Sequence, residues 1–290
     1  MASKITVAVL GAGGIMGFGM AKNAAKAGLD VRAWNRTKDK AEPLAEFGVT
    51  VVDTARDAVR GADVILTMLL DIDITKDVVF GDDGALSARE DGAVWLQMGT
   101  LGEHGTRECI DFAAAHGIPF VDAPVVGTKG PAMDGELVPL SSGDDALRAR
   151  VQPVLDAVGK ETRWLGEAGE GSKMKLVVNS WFVSIVEATA ETFALARSVG
   201  IDPKDFLAIM DGGPLDVPYL GMKGQKILDE DWEPQFGLTG AAKDARLIAQ
   251  LGRDHGADVP MFEAIAKRFT EGAGEHGDKD AIATYLSARA

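Results

Sequence analysis

Gly11-Ala12-Gly13-Gly14-Ile15-Met16-Gly17 is the stretch on which the fold turns. Before it stands a short apolar, β-branched run at residues 5–10, and after it residues 16–27 carry helical periodicity closed by Gly28. Strand, tight turn and helix in that order let glycine backbone approach a pyrophosphate at the N–H groups of a helix start. The spacing is GxGxxxG, one residue longer than the usual fingerprint, so the surrounding strand and helix carry the reading more than the string does. Gly11, Gly13, Gly14, Ile15 and Met16 are therefore the expected cofactor contacts of this turn.

Outward from the turn the alternation continues. Strands are expected at residues 31–34, 49–52, 63–68, 93–98 and 118–122, with helices around 38–46 and 55–59. This pattern implies an α/β fold in which a doubly wound parallel sheet carries helices on both faces. An acidic residue at the end of the second strand would bond ribose hydroxyls and repel a 2′-phosphate. Asn35-Arg36-Thr37 stands there instead. Arg36 can pair with a phosphate and stack on adenine, Asn35 and Thr37 add neutral donors, and Lys38 adds charge, so the expected cofactor is NADP (as NADPH) rather than NAD.

Past residue 158 strand alternation fades and helical patterns run over residues 172–198, 203–210 and 238–255. The expected division is a nucleotide-binding domain over residues 1–165 and an all-helical domain over 166–290. Small residues on the 172–198 stretch, Ala188, Ala190, Ala194 and Ala196, suggest a helix buried on most sides and packing against a second copy, as a homodimer or homotetramer.

Composition narrows the partners. A net charge of −14 over 290 residues repels polyanions, which disfavours nucleic acid and anionic membranes as partners. One cysteine, Cys109, and four scattered histidines, His104, His116, His255 and His276, offer neither a disulfide nor ligand-like spacing, so no metal is expected. The opening Met-Ala-Ser-Lys lacks the regions of a signal peptide and no apolar run is long enough to span a bilayer, which predicts a cytoplasmic protein.

Four segments together resemble the β-hydroxyacid dehydrogenase family, a group that includes 3-hydroxyisobutyrate dehydrogenases and glyoxylate or succinic semialdehyde reductases, with imine reductases as more distant relatives. They are Gly14-Ile15-Met16-Gly17 continuing into Met20-Ala21-Lys22-Asn23; Asp122-Ala123-Pro124-Val125-Val126-Gly127-Thr128; Gly169 to Asn179 around Lys173-Met174-Lys175; and Phe236 with Lys243-Asp244. The resemblance covers nearly the whole chain. It implies a Rossmann-type domain joined through a long helix to an all-α dimerisation domain, and hydride transfer between NADPH and a small aldehyde or keto acid.

Carried over residue by residue, it makes Lys175 the general acid/base and Asn179 its partner, and puts Val126, Gly127 and Thr128 at the substrate. Met68, Leu69, Thr100 and Lys243 join the turn and Asn35-Arg36-Thr37 at the cofactor. Lys175 and Asn179 are four apart and share one helix face. Two positions depart from the pattern: Val126 replaces a serine, and Val178 the first asparagine of a pair. Because valine cannot donate to a carboxylate, either Thr128, Lys129 and backbone N–H groups hold an acid, or the substrate is not a simple β-hydroxy acid. Trp181, Phe182, Met210, Leu215, Tyr219 and Trp232 supply bulk for an apolar pocket. The alternative within enzymes is an imine reductase or reductive aminase, whose members in that resemblance usually replace the lysine; the alternative outside them is a non-catalytic NADP-binding protein.

Overall fold

In the computed structural model residues 4–288 are described; Met1, Ala2 and Ser3, on which part of the leader reading rests, lie outside the described residues. The chain divides into two compact units, one ending at Lys175 and the other beginning at Leu176.

The first unit is built on one sheet. Strands β1 (Thr6–Leu10), β2 (Asp30–Trp34), β3 (Thr50–Val51), β4 (Val64–Thr67), β5 (Val94–Gln97) and β6 (Phe120–Asp122) lie parallel in the order β3-β2-β1-β4-β5-β6. Along β1, Val7 and Val9 enter one core while Ala8 and Leu10 enter the other. Val64 and Leu66 against Ile65, and Val94 and Leu96 against Trp95, repeat that division. Strands buried on both faces read as continuous apolar runs, and each fully buried aliphatic side chain contributes roughly 1.5–3 kcal/mol. Helices α1 (Gly17–Lys26), α5 (Lys129–Asp134) and α6 (Arg148–Val158) supply one cover, and α2 (Ala55–Val59), α3 (Ile72–Val79) and α4 (Gly102–Ala115) the other. Cys109 is buried in the second core, and burial pushes its thiol up to about 12.

Two local expectations change. Residues around 38–46 form two short 3₁₀ helices, Lys38–Lys40 and Glu42–Phe47, instead of one α-helix. Pro43 opens the second, and a proline lacks the N–H needed to continue an i→i−4 ladder. The sheet also continues past β6 with reversed sense. Strand β8 (Val138–Gly143) runs antiparallel to β6 and to β7 (Val125–Val126), while β9 (Arg163–Trp164) lies parallel to β8.

Helix α7 (Glu170–Ser198) contributes its residues up to Lys175 to the first unit and the rest to the second. The second unit adds α8 (Pro203–Met210), α9 (Pro218–Leu228), α10 (Leu238–Asp254), α11 (Pro260–His276) and α12 (Tyr285–Ala288). Its core takes Val183, Val186, Ala190 and Phe193 from one face of α7, packed with Ile227, Ala245, Ile248 and Phe269. Val177, Trp181 and Leu195 on the same helix stay 59%, 65% and 63% exposed. The helix thus buries a stripe rather than most of its circumference, and Ala188 is exposed. A buried ion pair, Lys223 Nζ to Asp280 Oδ1 at 2.6 Å, ties α9 to the segment before α12.

Gly11 shows how tightly the sheet edge is built: its φ is +94° and an added Cβ would lie 2.3 Å from the Met68 carbonyl oxygen. At Gly14 the nearest atom to such a Cβ is 3.3 Å away. Gly11→Ala is therefore expected to lower unfolding free energy by about 1–3 kcal/mol in urea denaturation, and Gly14→Ala by clearly less. Equal losses would contradict this account of the turn.

Candidate active site

The strand order reverses between β1 and β4, and in open α/β sheets ligands bind outside the carboxyl ends of strands at such a point. The glycine turn lies at the end of β1, pinned by Gly11 N and Ala12 N donating to Trp34 O at 2.9 and 3.0 Å. Next to it, Met68 and Leu69 follow β4, and an added Cβ on Gly99, after β5, would lie 2.6 Å from Leu69 O. Gly11, Met68, Leu69 and Gly99 thus nest backbone against backbone, and Thr100 is half-buried beside them.

Gly13 and Gly14 leave a cradle that side chains would fill. A Cβ on Gly13 would lie 2.7 Å from the Asn35 side chain, so the missing Cβ lets Asn35 pack close against the turn. Gly14 and Ile15 are exposed, and Met16 at the start of α1 receives no side-chain cap. An uncapped helix start beside exposed glycine backbone fits a dinucleotide pyrophosphate.

At the end of β2, Asn35 Nδ2 donates to Thr37 O at 2.8 Å, so Asn35 shapes its own loop. Lys38 pairs with Asp53 at 2.5 Å, which offsets the charge expected from it and raises its pKa. Arg36 is exposed and forms no ion pair among the described residues. Of the four, Arg36 is the one offered to solvent with its charge uncompensated.

Val126 ends β7, and Gly127 follows with φ +134°, its position of an added Cβ lying 2.6 Å from Leu137. Thr128 opens α5, which docks on α1: an added Cβ on Gly19 would lie 2.3 Å from Ala132 O, and Asn23 Nδ2 donates to the same oxygen at 2.9 Å. Helix α1 therefore fixes both the glycine turn at its start and the Val126-Gly127-Thr128 segment through α5.

Beneath these loops lie residues that the sequence reading did not single out. Trp95 Nε1 donates to Thr67 Oγ1 at 2.9 Å and Thr67 Oγ1 to Gln97 Oε1 at 3.1 Å; Gln97 Nε2 donates to Gly99 O at 2.7 Å. This chain shapes the turn before Thr100. Asp122, fully buried at the end of β6, accepts from Ser172 N and Ser172 Oγ, both at 2.8 Å, and from Ser142 Oγ at 3.2 Å. Burial pushes its carboxyl up to about 6, while those hydrogen bonds pull the other way. The sequence signals for the network were Asp122, inside the Asp-Ala-Pro-Val segment, and Ser172, inside the Gly169 to Asn179 segment; nothing local pointed to Ser142.

Lys175 stands in the second turn of α7 and is 8% exposed. In the second unit Asn179, 5% exposed, donates from Nδ2 to Asp244 Oδ2 at 2.7 Å, and Lys243 Nζ lies 2.8 Å from Asp244 Oδ1. The Asp244 carboxylate thus fixes both the asparagine and the lysine. Phe182 contacts Tyr219 and Phe236 edge-on, with centroids 5.6 and 5.5 Å apart. Trp232 packs against the same core but stacks on Tyr285, whereas Trp181 and Leu215 are exposed.

Comparison with known proteins gives the family. Residues 6–166 match the NAD binding domain of 6-phosphogluconate dehydrogenase, and residues 169–287 match the NAD-binding domain of NADP-dependent 3-hydroxyisobutyrate dehydrogenase. Glyoxylate/succinic semialdehyde reductase 2 (chloroplastic) of Arabidopsis thaliana is 34% identical over 90% of this chain and 72% of its own length. Reductase 1 of the same plant is 34% identical over 88% of this chain and 89% of its own. Among solved structures, Mycobacterium tuberculosis 3-hydroxyisobutyrate dehydrogenase with L-serine superposes with TM-score 0.84 at 27% identity, covering 99% of this chain and 100% of that one. An imine reductase from Myxococcus stipitatus in complex with NADP+ shares the fold at TM-score 0.67 and 24% identity, over 97% and 99% of the two chains. With two thirds or more of each plant reductase matched above 30% identity, this chain belongs to the β-hydroxyacid dehydrogenase family and is a nicotinamide-dependent oxidoreductase.

Proposed function

We propose that the chain reduces a small aldehyde or keto acid with NADPH, and oxidises the corresponding alcohol or hydroxy acid in reverse, with Lys175 carrying the proton. The observation that carries this reading is a lysine only 8% exposed, one helical turn before an asparagine held by a buried carboxylate. A nicotinamide cofactor, when bound, supplies or accepts the hydride. Negative charge then grows on the carbonyl oxygen, and Lys175 as an ammonium stabilises that charge and donates its proton. In the oxidation direction neutral Lys175 accepts the hydroxyl proton. Asn179 orients the substrate without titrating, because Asp244 fixes its amide. The names of the two plant reductases support carbonyl reduction.

Arg36 supports the choice of NADP, since an exposed guanidinium at the end of β2 suits a 2′-phosphate. Val126 favours a second reading: with no hydroxyl to meet a carboxylate, the segment also suits an imine or a less polar carbonyl, in line with the imine-reductase likeness. The division into a cofactor-binding domain over 1–165 and a helical one over 166–290 follows from the same reading. The exposed apolar side chains of α7, Val177, Trp181 and Leu195, with Val199 just beyond it, support a homodimer or homotetramer through the helical part. No helix among the described residues is long and apolar enough to cross a membrane, and a cytoplasmic location is part of the proposal.

NADPH oxidation against a panel of aldehydes, keto acids and cyclic imines tests the reading. Lys175→Ala is expected to lower kcat by about 10²–10⁴-fold with NADPH affinity changed by less than about twofold; unchanged turnover would sink the mechanism, and turnover of imines alone would establish the second reading. Arg36→Ala should raise the KM for NADPH about tenfold or more, roughly 1.4 kcal/mol, with NADH little affected. Equal changes for both cofactors would remove Arg36 from 2′-phosphate recognition. Val126→Ser should raise kcat/KM for short carboxylate-bearing substrates roughly tenfold, the worth of one good hydrogen bond. No gain would show that the acid is held elsewhere.

A further inference from the structure

The first turn of α7 satisfies its own amides in an unusual way. The first four N–H groups of a helix have no partner within it. Here Glu170 N donates to Glu167 O at 3.1 Å and Lys173 N to Gly169 O at 3.1 Å. The two between them leave their own segment: Gly171 N donates to Ser142 Oγ at 2.9 Å and Ser172 N to Asp122 Oδ2 at 2.8 Å. Asp122 and Ser142 are directly paired residues of antiparallel β6 and β8, so their side chains share one face of the sheet. Ser172 Oγ adds a third tie to Asp122 Oδ1 at 2.8 Å, and Thr106 Oγ1 from α4 donates to Ser172 Oγ at 2.8 Å. Gly171 makes this seating possible, because a Cβ there would lie 2.1 Å from Leu140 O.

We infer that Asp122 is a positioning residue for Lys175: its buried carboxylate sets the height and rotation of the first turn of α7, and with it the lysine on the next turn. Ser172 and Lys175 are three apart and therefore neighbours on one helix face. A carboxylate at the start of a 29-residue helix also meets the positive end of its dipole. The side chains that hold the turn are among the least accessible in the molecule, with Asp122 and Ser142 at 0%, Thr106 at 1% and Ser172 at 3% exposure. A seat of that kind defines one orientation instead of a range. Misplacing a reacting group by about 1 Å can cost on the order of 10²-fold in rate.

This inference rests on the catalytic role proposed for Lys175, so the test separates the two. Steady-state kinetics, NADPH affinity and far-ultraviolet circular dichroism would be measured for Asp122→Ala, Asp122→Asn, Ser172→Ala, Lys175→Ala and the Lys175→Ala/Asp122→Ala pair. Asp122→Ala should lower kcat at least about tenfold while NADPH affinity and helicity stay near those of the unaltered protein. Asp122→Asn keeps an oxygen for the Ser172 amide and a donor that a serine hydroxyl can accept, so it should restore most of kcat. Ser172→Ala, which leaves Asp122 in place, should give a smaller loss of the same kind. On a Lys175→Ala background Asp122→Ala should cost nothing further, since it acts through the missing amine. A full loss on that background, or a kcat untouched by Asp122→Ala while Lys175→Ala abolishes turnover, would overturn the inference. So would an Asp122→Ala variant that loses NADPH binding and helicity along with kcat, if Asp122→Asn fails to restore them. If Lys175→Ala itself leaves turnover intact, the catalytic reading fails and this inference with it.

Discussion

The close approach of Gly11 to the Met68 carbonyl is the contact on which the rest of the nucleotide half depends. With a Cβ at Gly11 only 2.3 Å from that oxygen, β1 and β4 could not end side by side at the reversal of strand order. From that contact the turn swings into α1, and α1 in turn takes α5 against Gly19 and Asn23. At Gly11 and Gly19 main chain meets main chain at a place where any larger residue would intrude. The sheet edge is thereby defined by what the glycines lack, and the polar chain Trp95-Thr67-Gln97-Gly99 then fixes the neighbouring turn by what its side chains donate.

This difference explains what was legible beforehand. The glycine turn, the apolar strands of the parallel sheet and the helix over 172–198 announce themselves through local pattern, since a doubly buried strand must be apolar throughout. Strands β7 and β9 have two residues each, too few for a period to show, and they pair antiparallel and parallel with a β8 that carries Pro139, Ser141 and Ser142. The segment around 38–46 reads as a helix, yet Pro43 and its neighbours settle into 3₁₀ turns. Lys175 and Asn179 were legible as candidates, by resemblance and by spacing. Their supports were only partly so: Ser172 and Asp244 fall inside the family-like segments with nothing local to say what they hold, and Thr106 and Ser142 look like ordinary helix and strand residues until the fold brings them into their networks.

Charge follows the same logic of local compensation. A chain of net charge −14 that handles an anionic cofactor must offer positive charge at chosen places. Lys38 is engaged by Asp53, which leaves Arg36 as the exposed cation at the end of β2. Lys243 lies against Asp244, so its ammonium is held in a defined place and partly neutralised there. Lysines that look equivalent in sequence therefore differ in the charge they present, according to the carboxylates beside them.

Three buried aspartates make that point in reverse. Asp122, Asp244 and Asp280 are at most 2% exposed, and desolvating a carboxylate costs several kcal/mol unless hydrogen bonds and cations offset it. Each is surrounded by donors, most of them from elements distant in sequence. Asp122 takes the start of α7 onto the sheet, Asp244 takes Asn179, and Asp280 takes Lys223, Gln235 N and Ile282 N at 2.6, 3.0 and 3.1 Å. An apolar residue at any of these positions would pack without the desolvation cost, but it would accept from no donor and leave the attached element free to slide. The carboxylates fix orientation at a cost in stability, and the elements they orient are the ones that carry Lys175, Asn179 and Phe236.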